Sequence, residues 1–290
     1  MDGHPELTLQ GRSPELQHKL EVIMLMLSGF KRVIVAFSGG VDSTLLTAIA
    51  RDVLGRERTL AVTADSPALA REDLEEARRL AEHLDVEHLV IETHELADPQ
   101  YQENTSHRCY FCKTELFQQV DRLAAARRIP VVLYGAIGDD LRSERPGQQA
   151  ALERGVRAPL QEVGLTKLEV RELARSLGLP NWNRPQNACL ASRIRRGDPV
   201  TPEKLHQVEL AEAVVKAEGF RQVRVRCHGS LARIEVGSDE LVRLNDVELT
   251  NRIAAGVRDC GFATVEFDPS GYHESSQPSA SPNPSAAPVR

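Results

Sequence analysis

The chain has 290 residues, enough for about two domains of ordinary size. Its 41% hydrophobic and 27% charged residues match globular averages and exclude a fibrous or wholly unstructured class. A formal net charge of −6, six lysines and 4% aromatic residues argue against a chain whose main task is to grip a phosphate polymer, and the longest apolar run, residues 22–27, is far short of the roughly 20 residues of a membrane span.

Residues 15–27 place apolar side chains at helical spacing and predict a lead-in helix after an unpatterned start. Residues 33–37 form a continuous apolar run, the mark of a buried parallel strand, and end in a glycine turn before a helix over 43–54. The alternation repeats as strand 59–63, helix 70–84, strand 86–91, an irregular stretch, helix 113–127 and strand 130–134. Strands separated by helices of this length predict βαβ units, hence an α/β fold with a doubly wound parallel sheet covered on both faces. Residues 146–180 read mostly as helix, most clearly 166–177, with Gly178 as the stop. After Pro, Asn, Arg and Gly punctuation at 181–199 the order becomes helix 202–218, strands 222–226 and 232–236, helix 247–258 and strand 263–267, a small α+β unit. Residues 269–290 contain five Pro and six Ser and predict a disordered tail.

The string Ser38-Gly39-Gly40-Val41-Asp42-Ser43 joins the first strand to its helix. Backbone N–H groups freed by the glycines, the positive end of the helix and two serine hydroxyls make an anion site. No Gly-Lys-Ser/Thr follows, so the loop is not of the Walker type. A carboxylate at Asp42 beside a phosphate cradle makes sense with Mg²⁺ between them; the alternative is that Asp42 and Ser43 cap the helix. The string resembles the pyrophosphate loop of the adenylating ATP pyrophosphatases, which include the GMP, NAD and argininosuccinate synthetases and the tRNA thiolases. That resemblance implies attack on the α-phosphate of ATP, activation of an oxygen as its AMP ester and release of pyrophosphate. The expected organisation is a flexible lead-in over 1–14, an ATP-binding domain over 15–184, a small α+β domain over 185–268 and the tail over 269–290.

Five cysteines are too few for a disulfide framework, so their spacing is read for metal or redox chemistry. Cys109 and Cys112 sit three apart at the expected start of a helix, on one face and near the dipole end that favours thiolates. Cys189 lies in the irregular junction between the expected domains. Four readings stay open: a three-cysteine iron–sulfur site with one iron lacking a protein ligand, a redox CxxC pair, a zinc site completed by His107, or a lone nucleophilic cysteine. Cys227 and Cys260 have no partner spacing and read as buried core thiols. Arg193, Arg195 and Arg196 cluster after Cys189, and Arg224 and Arg226 share one strand face; forked guanidiniums suit a bidentate phosphate, although 30 of the 36 basic residues are Arg and surface pairs are expected anyway.

The loop 38–43 combined with Asp139-Asp140, Arg145-Pro146-Gly147, Ala158-Pro159-Leu160, Thr166-Lys167, the 188–193 string and Arg224-Val225-Arg226 resembles the LarE family over about residues 15–267. These are ATP-dependent sulfur transferases of nickel-pincer cofactor biosynthesis. The resemblance implies adenylylation of a carboxylate of pyridinium-3,5-biscarboxylic acid mononucleotide and delivery of sulfur to the activated carbonyl. Some members sacrifice the sulfur of one cysteine, matching Cys189, and others hold a [4Fe-4S] cluster with an extra sulfide; Cys109, Cys112 and Cys189 match the second type. It further implies Cys189 and Asp42 as catalytic residues and an ATP site of Ala36, Ser38, Gly39, Gly40, Asp42, Ser43, Ala64 and Gly135, with Mg²⁺ at Asp42. Ser192, Arg193, Glu212, Arg224 and Arg226 are implied near the substrate phosphate. Ser143 departs from the pattern, where an acidic residue is expected. The implied setting is a cytoplasmic homo-oligomer acting on a small mononucleotide, with no membrane or stable nucleic-acid partner. A cluster-dependent tRNA thiolase or an ammonia-using amidating synthetase of the same superfamily are the alternatives.

Overall fold

The computed structural model describes residues 13–142, 146–186 and 188–272. The expectations for residues 1–12, for Ser143 and Arg145, and for 273–290 lie outside the described residues. The chain divides into two compact units, Met1–Glu95 with Cys109–Asn187, and Leu96–Arg108 with Ala188–Arg290.

The first unit opens with α1 (Pro14–Ser28), capped by the Ser13 hydroxyl, which accepts from the Leu16 N–H and leaves Leu16, Leu20, Ile23 and Leu27 to form the buried stripe. Strands β1 (Val33–Ala36), β2 (Thr59–Asp65), β3 (Glu87–Glu92) and β4 (Val131–Tyr134) form a parallel sheet in the order β3-β2-β1-β4. The connecting helices are α2 (Val41–Leu54), α3 (Arg71–His83) and, after the short α4 (Pro99–Gln102), the long α5 (Arg108–Arg127). Successive β1 side chains feed opposite layers: Val33 and Val35 pack with Leu20, Leu45, Ile49 and Leu173, and Ile34 packs with Leu60, Val62, Phe117 and Val120. That two-sided burial is why the strand reads as an unbroken apolar run. Beyond the sheet follow α6 (Pro146–Glu153), α7 (Pro159–Glu162) and α8 (Lys167–Ser176), the last opened by a capping box between Thr166 and Glu169. The chain leaves β1 toward β2 on one side and returns to β4 on the other, so the strand order reverses at β1 and β4, the place whose carboxyl end serves as the ligand site in open parallel sheets.

The second unit carries α9 (Pro202–Ala217), the antiparallel pair β5 (Val223–His228) and β6 (Leu231–Val236), α10 (Val247–Asp259) and β7 (Thr264–Phe267), which pairs parallel with β6. Two features depart from the sequence reading. Residues 96–108, expected within the ATP-binding domain, pack with this unit, because the fully buried Asn104 donates from Nδ2 to the carbonyls of Ile194, Arg195 and Asp198 and Gln102 O accepts from the Val200 N–H. Pro269–Tyr272, expected in the tail, continue the unit: the Asp268 and Tyr272 N–H groups donate to the Ile234 and Val236 carbonyls, each at 2.8 Å. A composition rich in Pro and Ser averaged over 22 positions hides a turn that brings the Tyr272 N–H back to the Val236 carbonyl of β6.

Candidate functional site

In the first unit the loop after β1 is shaped by small residues. Gly39 has φ +69°, and a Cβ there would lie 3.2 Å from Ala77, so glycine is required both by the backbone and by the close passage of α3. Gly135, just beyond β4, runs so near the start of α2 that a Cβ would sit 2.7 Å from the Ser43 nitrogen. Gly40 is the N-cap of α2 and brings no side chain to its N–H groups. Ser43 Oγ donates to the Gly40 carbonyl and lies 3.1 Å from Ser38 Oγ, which accepts from the Gly40 N–H. Asn181, buried, donates from Nδ2 to the Gly39 carbonyl and toward Thr44 Oγ1, each at 3.0 Å. Beneath the loop the Phe37 carbonyl accepts from Thr63 Oγ1, whose oxygen in turn lies 2.8 Å from His88 Nε2; the imidazole is held neutral, first by burial.

Asp42 and Ser43 are not the caps of α2. Asp42 instead accepts two hydrogen bonds from Lys167 Nζ, at 2.8 and 2.7 Å, and burial pushes its pKa up against the pull of that ammonium. Lys167 is placed at the first position of α8 by the Thr166 cap, and its N–H donates to Asp139 Oδ2. Ala36 ends β1 opposite Val62 and Tyr134, while Ala64, two residues past Val62, pairs with Ile91 of β3. The expected ATP residues therefore share one end of the sheet. Sequence reasoning assigned no role to Lys167 at the loop, although Thr166-Lys167 had been noted; its signal is a cation at the start of a capped helix. An open cleft of 340 Å³ lined by Asp65, Ser66, Arg71, Glu92 and His94 at the same end of β2 and β3 left no mark in the sequence pattern.

Cys109, exposed, and Cys112, half-buried, lie on the first turn of α5, which begins five residues earlier than expected. Arg108, one residue before Cys109, donates to the Ala191 carbonyl at 2.7 Å and to Asn104 Oδ1. Cys189 is exposed in the second unit, at the head of the 3₁₀ turn Leu190–Arg193. Among the described residues no three His, Cys, Asp or Glu side chains are gathered as a metal site. Cys227 is the buried core thiol expected, its pKa raised by burial, whereas Cys260 is only half-buried.

Around Cys189 the second unit is built on long-range ion pairs. Arg193 is 1% exposed; its Nε and Nη2 bond Glu212 at 2.8 and 3.3 Å, and its Nη1 donates to the carbonyls of Ala188 and Cys189 and to Ser192 Oγ. Glu212, on α9, also accepts from the Val225 N–H. Arg226 makes a forked pair with Glu235 at 3.0 and 2.9 Å and donates to the Ser192 carbonyl at 3.2 Å. Arg224, on the same face of β5 two residues earlier, donates to the Val223 carbonyl, and burial lowers its pKa, with Arg193 as the next cause. Arg193 and Arg226 thus brace the turn that presents Cys189 and Ser192, a use of arginine that spacing alone did not suggest.

The sequence model of the NAD synthase family matches residues 18–133. An uncharacterized protein of Synechocystis sp. is 43% identical over 258 residues, 89% of this chain and 96% of that protein. The pyridinium-3,5-bisthiocarboxylic acid mononucleotide synthase of Lactiplantibacillus plantarum is 36% identical over 258 residues, 89% of this chain and 92% of the synthase. Argininosuccinate synthase of Natronomonas pharaonis is 32% identical over 170 residues, 53% of this chain and 41% of the enzyme, a likeness that stops short of the whole length. With a pyrophosphate-type loop on a parallel sheet, a small mixed-sheet unit after it and identity to the synthase running through both, the chain belongs to the LarE family.

Proposed function

We propose that the chain is an ATP-using sulfurtransferase that converts pyridinium-3,5-biscarboxylic acid mononucleotide into its thiocarboxylate for nickel-pincer cofactor synthesis. The observation that carries this reading is the 36% identity to the pyridinium synthase across 92% of its length, which a shared nucleotide domain alone does not produce. A substrate carboxylate oxygen attacks the α-phosphorus of ATP, the bond to the bridging oxygen breaks and pyrophosphate leaves. Sulfur then adds to the carbonyl of the acyl adenylate and AMP departs with the oxygen that had been activated. The uncapped N–H groups of α2 and the Ser38 and Ser43 hydroxyls receive the leaving pyrophosphate. Asp42 offers the hard oxygen donor that Mg²⁺ takes, and the Lys167 ammonium at that carboxylate supports a cationic partner for it. Ser192 and Arg224 serve the substrate phosphate, with Arg226, Arg193 and Glu212 shaping their support.

For sulfur delivery the three thiols Cys109, Cys112 and Cys189 fit a [4Fe-4S] cluster in donor chemistry: two stand on the first turn of α5, one heads a 3₁₀ turn, and Cys109 and Cys189 are exposed. When bound, such a cluster supplies a sulfide on the iron that lacks a protein ligand. The second reading, Cys189 as the only sulfur donor, is favoured by its exposure on a turn whose main chain Arg193 pins.

Protein purified without oxygen, given ATP and the mononucleotide, should release pyrophosphate in step with thiocarboxylate seen by mass spectrometry, and should contain iron and labile sulfide. Amide product with ammonia, or thiolation of tRNA instead, would overturn the reading. If Cys109→Ala and Cys112→Ala stay active while Cys189→Ala does not, and Cys189 loses about 34 Da as it becomes dehydroalanine, the single-donor reading replaces the cluster; the mass change lies outside the oxidation ladder.

A further inference from the structure

Two glycines in succession leave the peptide between them without the steric preference that a Cβ imposes, so the Gly39–Gly40 peptide can turn over at little cost. The peptide is trans, and its carbonyl and N–H point in opposite directions. Its orientation decides what the loop offers an anion: an N–H on the inner side attracts, and a carbonyl oxygen there repels. In the structure the Gly40 N–H points at Ser38 Oγ, on the side where the Ser38 and Ser43 hydroxyls meet. The Gly39 carbonyl is turned the other way and accepts from Asn181 Nδ2 at 3.0 Å.

Asn181 is dedicated to that contact. It is 3% exposed, and Nδ2 also donates to Thr44 Oγ1 at 3.0 Å, on the first turn of α2, so one amide spans the loop and the helix that the loop opens. A carbonyl oxygen can only accept, which assigns the amide nitrogen to the Gly39 side. Oδ1 is buried and meets no donor among the described residues, so the hydrogen bonding of this side chain is directed wholly at the loop and its helix. The turn that carries Asn181 follows α8 and is closed by the Arg184 N–H on the Asn181 carbonyl at 3.0 Å. It is fastened to α3 as well, where Arg184 Nη2 bonds Asp73 at 2.8 Å, and α3 is the helix whose Ala77 passes Gly39.

We infer that Asn181 is a positioning residue for ATP: by holding the Gly39 carbonyl it fixes the Gly39–Gly40 peptide with its N–H on the pyrophosphate side and its carbonyl turned away. This rests on the proposed use of loop 38–43 for the pyrophosphate of ATP. A leucine at 181 would fill similar space and leave the peptide free to turn.

The test measures binding of ATP and of AMP, with Mg²⁺ present, to the full chain by calorimetry in wild type, Asn181→Leu, Asn181→Ala and Leu20→Ala, each checked for folding by circular dichroism and melting. AMP lacks the two phosphates that leave as pyrophosphate, so it reports the rest of the nucleotide site. Asn181→Leu and Asn181→Ala should each weaken ATP binding about tenfold and AMP binding by no more than about twofold, with KM for ATP in pyrophosphate release rising in step. The two variants differ in volume, so a packing failure in one leaves the other to be read. Leu20→Ala, which empties core space on α1, should lower the melting temperature and leave both affinities within about twofold, the behaviour of a unit that is merely destabilised. If the Asn181 variants keep the wild-type ATP affinity, or lose ATP and AMP affinity equally, the amide supports the fold alone and the inference fails while the reading of the loop stands. If wild type binds ATP no more tightly than AMP, the loop does not hold the pyrophosphate, and the inference falls with that reading.

Discussion

The loop at 38–43 is shaped by what it lacks: Gly39 leaves room for α3 to pass, and Gly40 brings no side chain to the helix N–H groups, which stay uncapped. The turn at 188–193 is shaped by the opposite device, a long cation buried to 1% exposure whose donors reach Glu212 and the main chain of the turn itself. The first device is local and costs conformational entropy, so its residues stand together in sequence. The second takes two charges out of water and depends on a partner 19 residues away, so removal of one member is strongly destabilising and the pair is invisible to spacing. The first loop can therefore lose a functional side chain and keep its shape, whereas the second cannot.

The largest effect expected from this difference is on stability. Arg193→Leu leaves Glu212 buried without its partner and releases the carbonyls of Ala188 and Cys189, at a cost of about 3–5 kcal/mol. Denaturant unfolding followed in the second unit should show it, together with faster proteolysis near residue 189. Glu212→Gln, which can still accept from the Val225 N–H, should cost less. Equal stability of Arg193→Leu and wild type would show that the turn is held by its main chain alone.

Asp42→Ala inverts the pattern. The carboxylate meets Lys167 at a half-buried surface and contributes little to the core, so melting should shift by no more than a few degrees while substrate-dependent pyrophosphate release falls more than about a hundredfold. Lys167→Ala should lower the rate in the same direction, and calorimetry with ATP separates lost binding from lost chemistry. Normal release by Asp42→Ala would mean that the loop needs only backbone donors.

A smaller contrast lies between glycines. Gly39→Ala meets both a positive φ and Ala77 at 3.2 Å, whereas Gly55→Ala meets a positive φ of +84° with open space around it. Both should lose about 1 kcal/mol to the backbone conformation, and only Gly39→Ala should also weaken ATP binding. Equal ATP affinity in the two variants would show that α3 yields and that the close approach is incidental.

How much of this could be read beforehand follows the same division. The parallel sheet was legible because β1 buries both faces and carries an unbroken apolar run, and the loop because glycine and serine cluster where the strand ends. The two cysteines of α5 showed their shared face through spacing alone. Lys167 on Asp42, 125 residues apart, and Arg226 on Glu235 across β5 and β6 are set by tertiary register, which no local pattern encodes. Asn104 was missed for a further reason: in sequence it is one polar residue in an irregular stretch, and only its φ of 54° and three carbonyl acceptors reveal a clamp. Tyr272 was hidden by composition, a single aromatic at the head of a Pro and Ser tract.

The least effect expected is a pH dependence beneath the first loop. His88 is half-buried against Phe37, edge to face at 5.8 Å, and Thr63 donates its hydroxyl hydrogen to the Phe37 carbonyl, so the hydroxyl oxygen accepts from His88 Nε2–H. That places a proton on Nε2, and the ring's pKa is lowered, chiefly by burial and then by Arg78. With the folded value below the unfolded one, the unfolded chain binds more protons as pH falls through about 6.5, so this contribution is present above that value and is lost below it. Folding stability should therefore decline on acidification from pH 7.5 to 5.5. His228 is also lowered by burial and declines in the same window, so the useful quantity is the difference made by His88→Gln. The amide of that variant can donate to Thr63 without titrating, and its stability curve should be flatter than wild type over the same range, with ATP binding retained. A curve parallel to wild type would assign the acid sensitivity to the second unit and leave the first loop resting on a support that pH does not touch.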